Sequence, residues 1–206
     1  MAGIFYMSKS VFNPVNQQTS TSSKIVVGLE RIAEAFKVLL WEKAKQLGIS
    51  PIQIQILTFS AYHKQELCTV SYLAKEFNVT KPTISDAIKI LHQKKMIRKD
   101  YSISDSRSYS IILTEVGKAI ISETKNLGEP LQKTIDTIDK TELDAMFTTL
   151  SKLIYQLNRN GILTVQRTCF GCSFYEKEES KDYCNLLNKT LVSTDIRLDC
   201  PEFLEK

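Results

Sequence analysis

The sequence predicts a mainly helical fold with one small β-hairpin. A winged helix-turn-helix core lies between long dimerisation helices, and a small cysteine-rich module follows it. Three observations predict this. Apolar residues recur at helical spacing through most of residues 23–161. Within that stretch, two short helices joined by a tight turn lead directly into two strand-like runs around a polar tip. Four of the five cysteines, Cys169, Cys172, Cys184 and Cys200, then fall in the last forty residues.

Residues 1–22 are largely polar and include Asn13-Pro14 and a Ser/Thr cluster, which predicts an arm, either loosely ordered or packed on a partner subunit. From Ser23 to Leu47, Ile25, Leu29, Ile32, Phe36 and Leu40 share one helical stripe, and Gly48 stops the helix. Ser50-Pro51 with Gln53 starts the next helix, which runs to about Tyr62. Val70, Leu73, Ala74 and Phe77 mark a short helix, and Asn78-Val79-Thr80 is the turn. Thr80 caps a second helix that buries Ile84, Ala87, Ile88 and Leu91. Residues 97–101 and 109–113 form the wing strands, with Tyr101 and Tyr109 as cross-strand neighbours. One long helix, bent near Gly128-Pro130, is expected from Thr114. Thr141 caps another, with Leu143, Met146, Phe147, Leu150, Leu153, Ile154 and Leu157 as its apolar stripe up to Asn160-Gly161. The long helices carry more apolar surface than the winged core covers, which predicts a homodimer. The domains expected are an arm (1–22), a DNA-binding and dimerisation domain (23–161) and a cysteine-rich tail (162–206).

The helix-turn-helix LAKEFNVTKPTISDAIKIL, followed by MIRKDYSISDSRSYSIILTEVGKAI, resembles the MarR family of winged helix-turn-helix transcription regulators over about residues 24–160. The sharpest match is the wing, Asp105-Ser-Arg107 running into Leu113-Thr114 and Gly117. The resemblance implies that Arg107 reaches the DNA minor groove. One departure is Lys95-Met96, where the family usually has a glycine. Lys95 must enter the left-handed region at some cost or end the helix differently. The cysteine tail lies beyond the family core.

The net charge is +4, but residues 169–206 carry −3, which leaves +7 on residues 1–168. A basic helical body suits a phosphate-binding surface. The DNA contacts expected are Thr80, Lys81, Thr83, Ser85 and Lys89 on the recognition helix, and Arg98, Lys99 and Arg107 on the wing. Asp105 braces Arg107 or forms the turn. The four late cysteines supply enough soft ligands for a tetrahedral Zn²⁺ site or a [4Fe–4S] cluster, and both stay open. A Cys-x-x-Cys pair prepays part of the ordering, and Cys200-Pro201 leans weakly toward the cluster. Phe170, Phe174, Leu186, Leu187, Leu191 and Ile196 supply only a small core for this tail. Cys68 reads as a packing thiol, and His63 and His92 as structural or surface residues.

There is no apolar run of about twenty residues, no export signal and no catalytic constellation. The expectation is therefore a cytoplasmic, non-enzymatic protein with no membrane partner. The function expected is a homodimeric, sequence-specific transcription regulator that binds a pseudo-palindromic duplex and carries a Cys₄ metal site. Alternatives are a redox- or iron-sensing regulator using a cluster at the same cysteines, and a protein-interaction module without specific DNA binding. Any small-molecule effector is unknown.

Overall fold

The computed structural model describes residues 10–18, 20–101, 109–178 and 181–206. It divides into two compact units, Met1–Gly48 and Ile49–Lys206.

In the first unit, α1 (Pro14–Gln17) is a single turn begun by Asn13, whose side chain accepts the Val15 N–H. Helix α2 (Thr21–Leu47) starts two residues earlier than expected because Ser20 Oγ accepts the Ser23 N–H. Gly48 ends it at φ 63°, donating its N–H back to the last turn. Ile25, Val26, Ile32, Phe36, Val38 and Trp41 remain exposed along α2.

The second unit begins with α3 (Pro51–Tyr62), where the Gln53 side chain accepts the Ser50 N–H at 2.9 Å. Helices α4 (Val70–Glu76) and α5 (Lys81–Gln93) follow, then the antiparallel strands β1 (Ile97–Asp100) and β2 (Ser110–Leu113). The core is aliphatic: Ile54, Leu57, Leu73, Ile84, Ile88, Leu91 and Ile111 are all but inaccessible to water. Each contributes roughly 1.5–3 kcal/mol relative to exposure. The hairpin is pinned to the segment between α3 and α4, since Ile111 N–H bonds Cys68 O at 2.9 Å and Thr69 bridges Ser110.

Both helices of the pair end in the same device. After α4, Asn78 turns left-handed (φ 52°), its N–H bonds Lys75 O, and Val79 N–H bonds Ala74 O. After α5, Lys95 does so (φ 56°), with Lys95 N–H to His92 O and Met96 N–H to Leu91 O. These are Schellman closures. Asparagine adopts the left-handed region readily, whereas lysine does so at a cost. Lys95 thus takes the strained of the two routes open to it. The closure is held from outside: Thr114 Oγ1 donates to Lys95 O at 2.6 Å, and Thr114 N–H bonds Met96 O. Gly117 packs so close that a Cβ there would lie 2.1 Å from Met96 O.

The single bent helix expected after Thr114 is two helices, α6 (Glu115–Thr124) and α7 (Glu129–Ile135). Pro130 lacks an N–H and its ring clashes with the carbonyl four residues back, so it fits the first turn of a new helix and not the middle of one. Helix α8 (Lys140–Arg159) is capped by Asp139, which accepts the Thr141 N–H, and not by Thr141.

The tail holds more structure than its polar composition suggested. Strands β3 (Tyr175–Glu178), β4 (Lys181–Cys184) and β5 (Lys189–Leu191) form an antiparallel meander. Cys172, Tyr175, Leu191 and Ile196 are its buried core, flanked by Phe170, Phe174, Phe203 and Phe147 of α8. Leu186 and Leu187, expected in that core, are exposed on the β4–β5 turn, which leaves them no face to bury. Through Phe147 the tail covers part of the α8 stripe that the sequence assigned to a partner subunit.

Lys95→Gly should stabilise the second unit by about 0.5–1 kcal/mol, because relief of the left-handed cost exceeds the entropy glycine adds to the unfolded chain. Gly117→Ala should destabilise it by about 1–3 kcal/mol, since a backbone carbonyl blocks the added methyl. Denaturant midpoints at constant m check both.

Candidate nucleic-acid interface and thiol site

Thr80 starts α5. Its Oγ1 accepts the Thr83 N–H at 3.3 Å and lies 2.8 Å from Thr83 Oγ1. Pro82 in the first turn suits a helix start. Ile84, Ala87, Ile88 and Leu91 turn inward, as the periodicity predicted. Thr80, Lys81, Thr83, Ser85 and Lys89 are all exposed. The first turns of α5 therefore present hydroxyls and two ammonium groups to solvent, the chemistry that meets phosphate and base edges.

On β1, Arg98 is exposed and Lys99 half-buried. Arg98 lines an open cleft of about 830 Å³ with Cys68, His63, Leu113 and Lys118. Lys99 Nζ sits 4.3 Å from the Tyr109 ring centre, and the Tyr109 and Tyr101 rings are 5.6 Å apart, the cross-strand pair expected. Asp105 and Arg107 lie outside the described residues.

Cys68 is a buried free thiol whose pKa burial raises. The other four cysteines are also free, and all four line one cavity of about 20 Å³ with Phe174, Tyr175, Leu186, Leu191 and Glu202. Cys169 begins a 3-10 turn and Cys172 N–H closes it on Cys169 O at 2.9 Å. Cys184 ends β4, and Cys200 comes from the final loop. Arg197 N–H donates to Cys169 Sγ at 3.2 Å, and its guanidinium lies 3.8 Å from Cys200 Sγ. The Cys169 thiol is pushed up, first by burial; the Arg197 N–H opposes this, and the three neighbouring cysteines add to it. Among the described residues, no group of three or more His, Cys, Asp or Glu side chains has metal-holding geometry.

A third constellation was not legible in the sequence. Arg167 is buried between Glu76 of α4 and Asp199 of the final loop. Nε and Nη2 donate to Asp199 at 2.6 and 3.1 Å, while Nη1 and Nη2 donate to Glu76 at 2.6 and 3.1 Å. Nη1 also donates to Tyr72 Oη at 3.0 Å. Burial alone would lower the guanidinium pKa, but its bonds to Glu76, Asp199 and Tyr72 outweigh that and raise it. Arg167 in turn holds the Asp199 carboxyl below the usual carboxylate range, with burial opposing and His63 assisting. His63 is thus not a lone residue. It stacks on Phe59 at 3.8 Å, Nδ1 lies 3.0 Å from Phe59 O, and Nε2 lies 2.8 Å from Asp199. The partners are 32 to 136 residues apart, beyond any spacing rule.

A helix pair with an exposed second helix, joined to a two-stranded wing, defines a winged helix-turn-helix domain. The MarR family model matches residues 47–108. No curated protein matches the chain. Among solved structures, the fold resembles the S. aureus MepR–DNA complex at 24% identity and TM-score 0.57, over 64% of this chain and 97% of that one. It resembles S. aureus MepR in a DNA-binding conformation at 25% and 0.56, over 65% and 98%. It also resembles a MarR transcriptional regulator from Methanosarcina mazei Go1 at 19% and 0.55, over 67% and 96%. Residues 47–108 thus match the MarR family, and the chain has the winged helix-turn-helix fold of the MarR-family structures it resembles. The cysteine segment lies outside the matched residues.

Thr80→Ala removes the cap of α5 and should cost about 1 kcal/mol of stability. Lys81→Ala and Lys89→Ala, both facing solvent, should stay within about 0.5 kcal/mol. Thermal and denaturant melts compare the three.

Proposed function

We propose that this protein is a homodimeric, sequence-specific DNA-binding transcription regulator whose C-terminal thiols hold a metal. The observation that carries the DNA reading is the solvent-facing start of α5, with Thr80, Lys81, Thr83, Ser85 and Lys89, beside a basic wing strand bearing Arg98 and Lys99. Two copies would place two such helices on half-sites about one helical turn apart. The likeness to MepR in complex with DNA supports a duplex partner. No helix among the described residues is long and apolar enough to cross a membrane, in keeping with a partner in the cytoplasm. Arg107 is assigned to the minor groove on the wing resemblance alone.

The dimer reading rests on the apolar side chains of α2, with Ile25, Ile32, Phe36 and Trp41 each about half exposed or close to it. An isologous interface is the economical cover for such a stripe. Light scattering should return twice the 23.5 kDa chain mass, and a monomer mass across micromolar concentrations contradicts it.

Cys169, Cys172, Cys184 and Cys200 line one cavity, and N–H groups of Arg197 point at two of the sulfurs. That donor set suits a thiophilic ion. Cys200-Pro201 is the one feature favouring a [4Fe–4S] site. Bound zinc would contribute folding free energy on the order of 10 kcal/mol to a module whose core is only four buried side chains.

Selection from a randomised duplex pool should yield a pseudo-palindrome. Arg107→Ala should then weaken binding by about 1–3 kcal/mol, and Lys81→Ala should reduce the salt slope by about one. No salt-dependent duplex binding at all sinks the regulator reading. Anaerobic protein should carry close to one zinc per chain and be colourless, whereas brown protein with iron assigns the cluster. Neither metal leaves only thiol chemistry. Cys184→Ser should loosen the tail while the winged domain stays helical.

A further inference from the structure

The thiol module and the helix-turn-helix meet at Arg167. Its side chain bonds both carboxylate oxygens of Glu76 and the Tyr72 hydroxyl on α4, and its other edge bonds both oxygens of Asp199. Thr164 Oγ1 donates to Lys75 O at the end of the same helix, and Lys64 pairs with Glu202 at 3.4 Å. The backbone on the far side of this contact belongs to the cysteines. Cys200 N–H bonds Arg167 O at 3.1 Å, Cys169 N–H bonds Arg197 O at 3.1 Å, and Arg167 forms a parallel bridge with Asp199. Asp199 adjoins Cys200, and Arg167 lies two residues before Cys169. A displacement of either sulfur-bearing residue is therefore a displacement of one side of the Arg167 contact. Helix α4 passes through the Asn78 turn into α5, and the two helices pack together.

We propose that Arg167 is a positioning residue that latches the thiol module onto α4, so that metal in the four-cysteine site orders the helix-turn-helix and raises DNA affinity. The inference rests on the metal reading above. The physical ground is that a guanidinium this buried keeps its place only while both carboxylates meet it. With the site filled, Cys169 and Cys200 share one centre, which holds Arg167 and Asp199 in register under α4. With the site empty, the final loop keeps its hydrogen bonds, the Lys64–Glu202 pair and the packing of Phe203 but loses the tie through Cys200, and the Asp199 edge of the contact loosens. Glu76 is then left to a guanidinium with half its partners, and α4 loses its brace. Sensing of this kind needs a differential contact between the two states, and Arg167 supplies one.

The test uses the full-length chain, anaerobic, either zinc-loaded or stripped by a chelator. One readout is affinity for the duplex selected by the wild type from the random pool. The other, independent of DNA, is amide exchange in Val70–Glu76. Wild type should bind at least about fivefold more weakly when stripped, and its α4 amides should exchange faster. Arg167→Met and Glu76→Gln should still take up one zinc per chain but lose the zinc response in both readouts. Glu76→Gln leaves Asp199 to hold the guanidinium, so it decides the matter if Arg167→Met loses its helical circular dichroism. Zinc uptake by the wild type with no change in affinity or exchange overturns the latch while the metal reading stands. Variants that keep the wild-type zinc response also overturn it. A wild type that takes up no metal overturns latch and metal reading together. Failure to select any duplex removes the DNA reading, and amide exchange then decides the latch alone.

Discussion

Arg167 carries a permanent charge into a nearly water-free place, and the surrounding chain is arranged to meet it. Taking a guanidinium out of water costs several kcal/mol unless its fork of donors is matched. Here two carboxylates take it on two edges, a phenol adds a further acceptor, and the Phe59 ring lies 5.4 Å from its centre. Such a group tolerates few alternative placements of its neighbours. It therefore settles which face of α4 the tail occupies, and it draws His63 at the end of α3 into the same contact. Beside it, the tail meets the winged elements through Thr164 on Lys75 O and the exposed Lys64–Glu202 pair, and it packs on α8 through Phe147 and Tyr155, which is less directional.

The helix-turn-helix is shaped by backbone constraints of a different kind. Two left-handed residues, Asn78 and Lys95, close α4 and α5, and each closure satisfies carbonyls that would otherwise be stranded. The second closure is locked by Thr114 and by the bare Cα of Gly117 against Met96 O. Because β1 leaves that closure directly, the direction of the wing follows from it. The strain at Lys95 is thus offset by the registration of the wing against α5, and the placement of both depends on that one junction.

The thiol module has a small core. Its three short strands enclose four buried side chains, two of which, Cys172 and Tyr175, carry polar atoms. Tyr175 Oη donates to Asp182 at 2.6 Å, which anchors β3 to β4, and burial followed by that bond raises its pKa. The four sulfurs line the small cavity together with Glu202, which also pairs with Lys64, and Asp199 pairs with Arg167. Asp199 and Cys200 are adjacent in the chain, so the ion pair and the thiol cavity share one stretch of backbone.

Local rules were enough for what the sequence by itself determined. The 3.6-residue stripe of Ile84, Ile88 and Leu91, the caps at Ser50 and Thr80 and the turn at Asn78 are each set by neighbours within a few residues. The winged helix-turn-helix and the exposed face of its second helix were therefore readable. So was the Cys-x-x-Cys turn, which is a local device, whereas strand pairing and the final loop brought Cys184 and Cys200 to the same cavity. Tertiary structure decided the rest. Pro130 began a new helix where a bend was expected, because its ring leaves no room for a continuous one. Leu186 and Leu187 went to solvent and Tyr175 and Phe203 to the core, because strand pairing assigned the faces. Arg167, Glu76, Asp199 and His63 found one another across distances at which sequence carries no periodic signal. Only the burial of the guanidinium selects its partners, and that burial exists only once the chain has folded.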